Sequence, residues 1–267
     1  MIKIVVSGAK GHMGKMIIDA VWNMEGAELV AAIDRRTSDK VEADEDAGAA
    51  LGYNTGIKIT DDYNVIRTSG AQVLIDFTRP EGTKDFLKIC KDAGVAMVIG
   101  TTGLDAEGKE QIEEASKIIP IVFSPNMSTG VNATYKLLEQ AARILKDYDC
   151  EILEMHHSRK VDAPSGTAIA MGKAIAQARG QKFEDVAVWA REGHTGPRVP
   201  GSIGFAALRG GDVVGDHKVI FAGKGERIEI SHLSGSRVGY AEGAVKAALW
   251  VADKKPGLYT MKDVLDL

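Results

Sequence analysis

Apolar positions follow two rhythms along this chain, and the change from one to the other marks its organisation. In the first half, short apolar runs alternate with segments of helical period. IKIVV (Ile2 to Val6), ELVAAID (Glu28 to Asp34), VLIDF (Val73 to Phe77), AMVIG (Ala96 to Gly100) and IPIVFS (Ile119 to Ser124) are apolar at successive positions. Such runs predict strands with both faces covered. Between them, MGKMIIDAVWNM, GTKDFLKICKDAG and EGKEQIEEASK repeat apolar residues at helical spacing. Apolar strands separated by helices predict an α/β, doubly wound parallel sheet with helices on both sides.

After Ser124 the rhythm changes. GVNATYKLLEQAARILKD predicts a long amphipathic helix, YDCEILEMHH a half-alternating strand, and TAIAMGKAIAQAR another helix. The strand-like runs IGFAALRG, DVVGDHKVIFAG and ERIEISHLS follow, with AGKGE as a hairpin turn between the last two. This order predicts an α+β domain with a mixed sheet. The expected division is one domain over residues 1–128 and 238–267 and a second over 129–237, with GYAEGAVKAALWVADK (Gly239 to Lys254) as a helix rejoining the first.

The chain has 267 residues, of which 45% are hydrophobic and 26% charged, ordinary values for a globular protein. A net charge of -4 and a pI near 5.9 argue against a nucleic-acid partner, which selects a basic face. The two cysteines, Cys90 and Cys150, lack any partner at zinc spacing, so neither a disulfide scaffold nor a metal site is expected, and a reducing cytoplasm fits. The first apolar run is too short for a signal peptide, and no run of about eighteen apolar residues predicts a membrane span.

Candidate chemistry begins at SGAKGHMG. Gly8, Gly11 and Gly14 lie between the first predicted strand and the first helix in a GxxGxxG variant of the dinucleotide fingerprint. Small residues let the backbone approach a pyrophosphate, and the helix N-terminus offers N–H groups and positive dipole. Asp34, about 20 residues further on at the end of the second strand, stands where a ribose-binding acid belongs. Its charge opposes a 2′-phosphate, whereas Arg35 and Arg36 could hold one. Dual use of NADH and NADPH with a lean to NADH is the expectation. The loops FTRPEGT, GTTG and SPNMSTG follow later strands and belong to the same crevice.

The densest cluster of proton-carrying groups is EMHHSRKVDAPSGTA, Glu154 to Ala168. Alternation along the strand sends His156 and His157 to opposite faces, or they diverge as the strand ends. A histidine suits acid–base work near neutral pH, and Lys160 can supply a proton or hold a carboxylate. Pro164 leads into a helix whose first N–H groups belong to Ser165, Gly166 and Thr167, a cradle for a carboxylate. Taken blandly, Pro-Ser-Gly-Thr is an ordinary helix cap and the histidines are polar residues with satisfied hydrogen bonds. The concentration of these groups in fifteen positions favours function. His12, His194, His217 and His232 have no comparable company in the sequence.

The run E-x-H-H-x-x-K-x-D-x-P-S-G-T-A resembles the signature of the 4-hydroxy-tetrahydrodipicolinate reductase (dihydrodipicolinate reductase) family. DFTRPEGT, VIGTTG, SPNMSTGVN, REGHTG and GAVKAALW extend the likeness over nearly the whole chain. The resemblance implies a Rossmann-type domain built from both chain ends and a central substrate domain that also forms a homotetramer. It implies His156 as acid/base, Lys160 as proton donor, and His157, Ser165, Gly166 and Thr167 as substrate binders. It assigns the cofactor to Gly8, Ala9, Lys10, Gly11, His12, Met13, Asp34, Arg35, Gly100, Thr101, Thr102, Ser124, Pro125, Asn126 and Met127. The implied reaction is NAD(P)H-dependent reduction to tetrahydrodipicolinate in the diaminopimelate route to lysine, in the cytoplasm. Two departures bear on the cofactor. His12 stands where the family usually has Arg, which puts strong NADPH use in doubt, and Asp34 stands where many members carry Glu. The rival readings are another NAD(P)-dependent reductase of a small amino-acid-derived acid and a non-catalytic dinucleotide sensor. The first need not carry the His-His-Lys-Ser-Gly-Thr segment, and the second would lose His156 or Lys160 first.

Overall fold

The structure is a computed structural model and describes residues 1–35 and 45–267. β1 (Ile2–Ser7) turns through glycines into α1 (His12–Asn23) and returns as β2 (Ala27–Ile33). The short β3 (Ile59–Thr60) and α2 (Val65–Thr68) precede β4 (Val73–Asp76), α3 (Pro80–Ala93), β5 (Ala96–Ile99), α4 (Ala106–Ser116) and β6 (Pro120–Phe123). Then come α5 (Thr129–Ile144), β7 (Asp149–His156), α6 (Gly166–Ala178), α7 (Phe183–Val186), β8 (Ala187–Val188), β9 (Ile203–Arg209), β10 (Gly215–Ala222) and β11 (Arg227–Ser234). The chain closes with α8 (Val238–Val251), β12 (Gly257–Tyr259) and α9 (Met261–Leu265). It divides into two compact units, Met1–Thr129 with Arg237–Leu267, and Gly130–Ser236.

The first unit holds a seven-stranded sheet in the order β12-β6-β5-β4-β1-β2-β3, parallel throughout. Its strands read as unbroken apolar runs because alternate residues serve two cores. Ile4, Val6, Ile75 and Val98 face Ile17, Ile18 and Val21 of α1 and Ala244, Val245 and Ala248 of α8. Val5, Leu74, Met97 and Ile99 face Phe86, Leu87 and Cys90 of α3 and Ile112 of α4. α8 settles tightly because it is rich in small residues. A Cβ at Gly243 would lie 1.8 Å from the Met127 carbonyl oxygen, a separation open only to glycine. The chain runs one way from β1 to β2 and the other way through β4, so a crevice opens beyond the carboxyl end of β1. β3, α2, β12 and α9 escape prediction because two to five residues are too few to show a period.

The second unit carries a mixed five-stranded sheet, ordered β11-β10-β7-β9-β8. Central β7 runs parallel to β9 and antiparallel to β10. β10 and β11 form the predicted hairpin, closed by the Gly223 N–H donating to the Glu226 carbonyl at 2.9 Å, with Gly225 at φ +86°. Along β7, Cys150, Ile152, Glu154 and His156 are buried on one face. Cys150 and Ile152 join Leu138 and Ala142 of α5 and Met171 and Ile175 of α6 in the core. Glu154 and His156 continue that face, so an apolar row ends in two titratable groups. Among the described residues no helix is long and apolar enough to cross a membrane.

Candidate active site

The first unit holds a turn shaped for a dinucleotide. Gly8 adopts φ +67°, a conformation that favours glycine, and its carbonyl accepts the Gly11 N–H at 2.9 Å. A Cβ on Gly14 would stand 2.0 Å from the Gly8 oxygen, so α1 approaches the turn as only glycine permits. Ala9 donates its N–H to the Ile33 carbonyl at 3.0 Å. α1 opens at His12 and Met13, and no side chain caps its N-terminus at Gly11, which leaves the dipole and orphan amides at the crevice. The Asp34 carboxylate accepts the Lys10 N–H at 2.6 Å and the Arg35 N–H at 2.7 Å, which ties the end of β2 to the glycine turn. The Arg35 guanidinium reaches toward the first turn of α3, 3.6 Å from where a Gly82 Cβ would sit. These residues fit a dinucleotide. Arg36, the other basic residue considered for a 2′-phosphate, lies outside the described residues.

The later loops are tied together by Asp76, a fully buried carboxylate that sequence reasoning passed over. It accepts hydroxyl hydrogen bonds from Ser7 (2.9 Å), Thr78 (2.6 Å), Thr83 (2.5 Å) and Thr101 (3.2 Å). Thr101 also accepts the Thr78 N–H at 3.0 Å. Gly100 packs directly on the Phe77 ring, which a Cβ would meet at 2.3 Å and have to displace. Thr102 and Pro125 are exposed, the Ser124 hydroxyl donates to the Asn126 carbonyl at 2.9 Å, and Met127 is buried beside α8. The signal available in the sequence was an acid ending an apolar strand with hydroxyl residues clustered around it.

The second unit gathers its groups at the end of β7. Strand register sets His217 opposite Glu154 and Arg209 opposite His156, all on one face. Glu154 is 1% exposed. Its Oε2 accepts from His156 Nδ1 at 2.6 Å and Arg209 Nη1 at 2.8 Å. Its Oε1 accepts from Arg209 Nη2 at 2.8 Å and the Ser165 N–H at 3.0 Å. Burial pushes the Glu154 carboxyl up, but the hydrogen bonds from Arg209, His156 and Ser165 outweigh it and hold the group below the ordinary carboxylate range.

Two local expectations need correction. His217 does have company. Its Nε2 lies 2.8 Å from the Ser165 hydroxyl, and its ring packs edge-on to His156 with centroids 5.1 Å apart. Burial, with His156 adding to it, lowers the His217 pKa to about 4. The register of β7 against β10 creates this neighbourhood, and no local pattern encodes it. Ser165 differs too. Its N–H is spent on Glu154 and its hydroxyl accepts the Ala168 N–H as the cap of α6, so the helix proper begins at Gly166. A Cβ at Gly166 would meet nothing within 4 Å, so open space lies in front of that helix start and beside Thr167. Lys160 Nζ donates to both Asp162 oxygens at 2.7 and 2.8 Å, which holds the Asp162 carboxyl below its usual range. The His157 N–H donates to the Val213 carbonyl at 2.7 Å.

Comparison with known proteins accounts for both units. Residues 2–127 match the family model described as dihydrodipicolinate reductase, N-terminus, a dinucleotide-binding domain, and residues 130–265 match its C-terminus. A 4-hydroxy-tetrahydrodipicolinate reductase of Cupriavidus metallidurans is 56% identical over 99% of each chain. One from Bordetella parapertussis is 55% identical over 99% of this chain and 97% of its own. Among solved structures, the dipicolinate-bound dihydrodipicolinate reductase of Paenisporosarcina sp. TG-14 superposes with a TM-score of 0.80 at 25% identity, covering 99% of this chain and 100% of that one. An amine dehydrogenase of Mycobacterium smegmatis, 14% identical with a TM-score of 0.66 over 97% and 95% of the two chains, shares the fold alone. Matched in order through both halves and along nearly its full length, the chain belongs to the dihydrodipicolinate reductase family.

Proposed function

We propose that this chain reduces 4-hydroxy-tetrahydrodipicolinate, by way of dihydrodipicolinate, to tetrahydrodipicolinate in the diaminopimelate route to lysine, with NAD(P)H as reductant. The observation that carries this reading is full-length identity of 56% to an enzyme named for the first of these compounds. The Glu154 to Ala168 cluster supplies groups suited to the chemistry.

NAD(P)H, when bound, would supply a hydride for the conjugated imine, and the electron-rich ring carbon of the reduced substrate would need a proton from this chain. The glycine turn and the α1 N-terminus hold the pyrophosphate, with Gly100, Thr101, Thr102 and the Ser124 to Met127 loop lining the rest of the crevice. Asp34 receives the ribose hydroxyls. Gly166, Thr167 and His157 hold a substrate carboxylate at the start of α6, and Lys160 exchanges Asp162 for the substrate as proton donor to the hydroxyl that leaves as water, which reserves the ring-carbon proton for His156. His156 is the acid/base. The first unit is thus the cofactor domain, and the second binds substrate and builds a homotetramer. The reading places the enzyme in the cytoplasm and gives it dual cofactor use with a lean to NADH, because His12 replaces a basic contact for the 2′-phosphate and Asp34 opposes that group.

The test couples a dihydrodipicolinate-generating synthase to this protein and follows loss of nicotinamide absorbance with each cofactor. Both should be consumed, NADH with the higher kcat/KM. A preference for NADPH of more than about tenfold, or 1.4 kcal/mol, overturns the cofactor lean. No consumption of either overturns the function. Gly166→Val should chiefly raise KM for the diacid, because its side chain fills the open space at the helix start.

A further inference from the structure

We propose that Glu154 is a positioning residue that holds His156 with its proton on Nδ1, leaving Nε2 as the nitrogen that delivers the reaction's proton. This rests on the reading of His156 as the acid. The spacing of two along β7 puts both residues on one face, and the 2.6 Å contact joins the carboxylate to Nδ1 alone. A buried carboxylate is costly unless its acceptor sites are filled, and here four donors fill them. Arg209 closes two of them in a fork, which fixes the carboxylate plane and with it the direction of the imidazole. The Ser165 amide ties the same carboxylate to the cap of α6, so one group locates both the proton donor and the substrate cradle.

The far side of the ring is shaped to match. A Cβ on Gly215 would lie 3.0 Å from Nε2, so the absence of a side chain there leaves that nitrogen uncrowded. When the ring carbon's electron pair forms the new C–H bond, the Nε2–H bond breaks. The imidazole is left neutral, its Nδ1–H still donated to Glu154. The titratable and charged groups against the ring are Glu154 on its own strand and His217 on β10, with Arg209 on β9 paired to Glu154; His232 on β11 and Lys160 in the loop after β7 act on His217. His217 stays neutral in the working range, so it does not compete for the proton.

The first test uses the unaltered protein. Nitrogen-15 histidine spectra above pH 8, with His156 assigned by comparison with His156→Asn, should show the Nδ1–H tautomer. An Nε2–H tautomer overturns the proposal. In Glu154→Gln, kcat should drop by about 10- to 100-fold while KM for the dinucleotide stays constant, and the basic limb of the kcat profile should move down by about one pH unit. A merely structural ion pair would leave that limb in place, and an unmoved limb counts against the assignment. The double variant His156→Ala/Glu154→Gln should be no slower than His156→Ala alone, since residues that act as a unit are not additive. Multiplied losses would mean that Glu154 acts elsewhere. If His156→Ala turns over normally, the earlier reading of His156 is what fails.

Discussion

Each unit hides one carboxylate near the end of an apolar strand, and the two keep different company. Asp76 on β4 accepts from the hydroxyls of Ser7, Thr78, Thr83 and Thr101. Glu154 on β7 accepts from a guanidinium, an imidazole and a backbone amide. Hydroxyl donors bring no charge of their own, so the groups around Asp76 act only as hydrogen-bond partners. An imidazole can carry a proton or give one up, and the carboxylate beside it is held by a donor that chemistry can use. The same functional group is a fixed tie among loops in one place and, on the proposal above, a support for proton transfer in the other.

The sharpest way to break this comparison is His156→Ala. Removal of an acid/base costs about 100- to 10,000-fold in kcat, and dinucleotide affinity, followed by fluorescence titration, should be intact. Normal turnover would leave the Glu154 cluster without a proton to support. The next effect is on folding. His217 titrates near 4 in the folded chain and near 6.5 when unfolded, so below pH 6.5 the unfolded state takes up a proton that the folded state refuses. Stability should be unaffected by this group above pH 6.5 and decline by about 3 kcal/mol as the pH falls to 4. Glu154 adds a further loss once the pH falls through its lowered folded value. Urea unfolding across this range should show the slope in the native chain and a flatter one in His217→Asn.

Asp76→Ala should cost about 2 kcal/mol of stability, because four hydroxyls lose their buried acceptor. It should also weaken dinucleotide binding without moving the pH profile of kcat. A moved profile would erase the distinction between the two carboxylates. The smallest effect belongs to Gly215→Ala, whose methyl would press on His156 Nε2 at 3.0 Å. A loss of about tenfold in kcat at unchanged stability is expected in steady-state assays, as a slightly displaced acid would give.

What could be read from the sequence follows the reach of each interaction. The runs at Ile4 and Val98 reveal a parallel sheet because each run records both of its own faces. The turn at Gly8 and Gly14 is equally local, since Gly14 answers the Gly8 carbonyl six residues earlier and Gly8 answers its own positive φ. The Glu154 cluster is assembled from three strands and a helix start, with Arg209 and His217 more than fifty residues away in sequence. Nothing beside His217 in the chain announces that it will stand opposite Glu154. Glu154 opens the motif that the sequence displays, but only the strand register shows which face and which partners it joins.

The return of α8 has a bearing on how the polypeptide matures. Ile17, Ile18 and Val21 share their cover with Ala244, Val245 and Ala248, so residues made before the second unit await others made after it. During synthesis the intervening segment, Gly130–Ser236, is complete before its predecessor can close. The amino-terminal half is therefore born first and finished second.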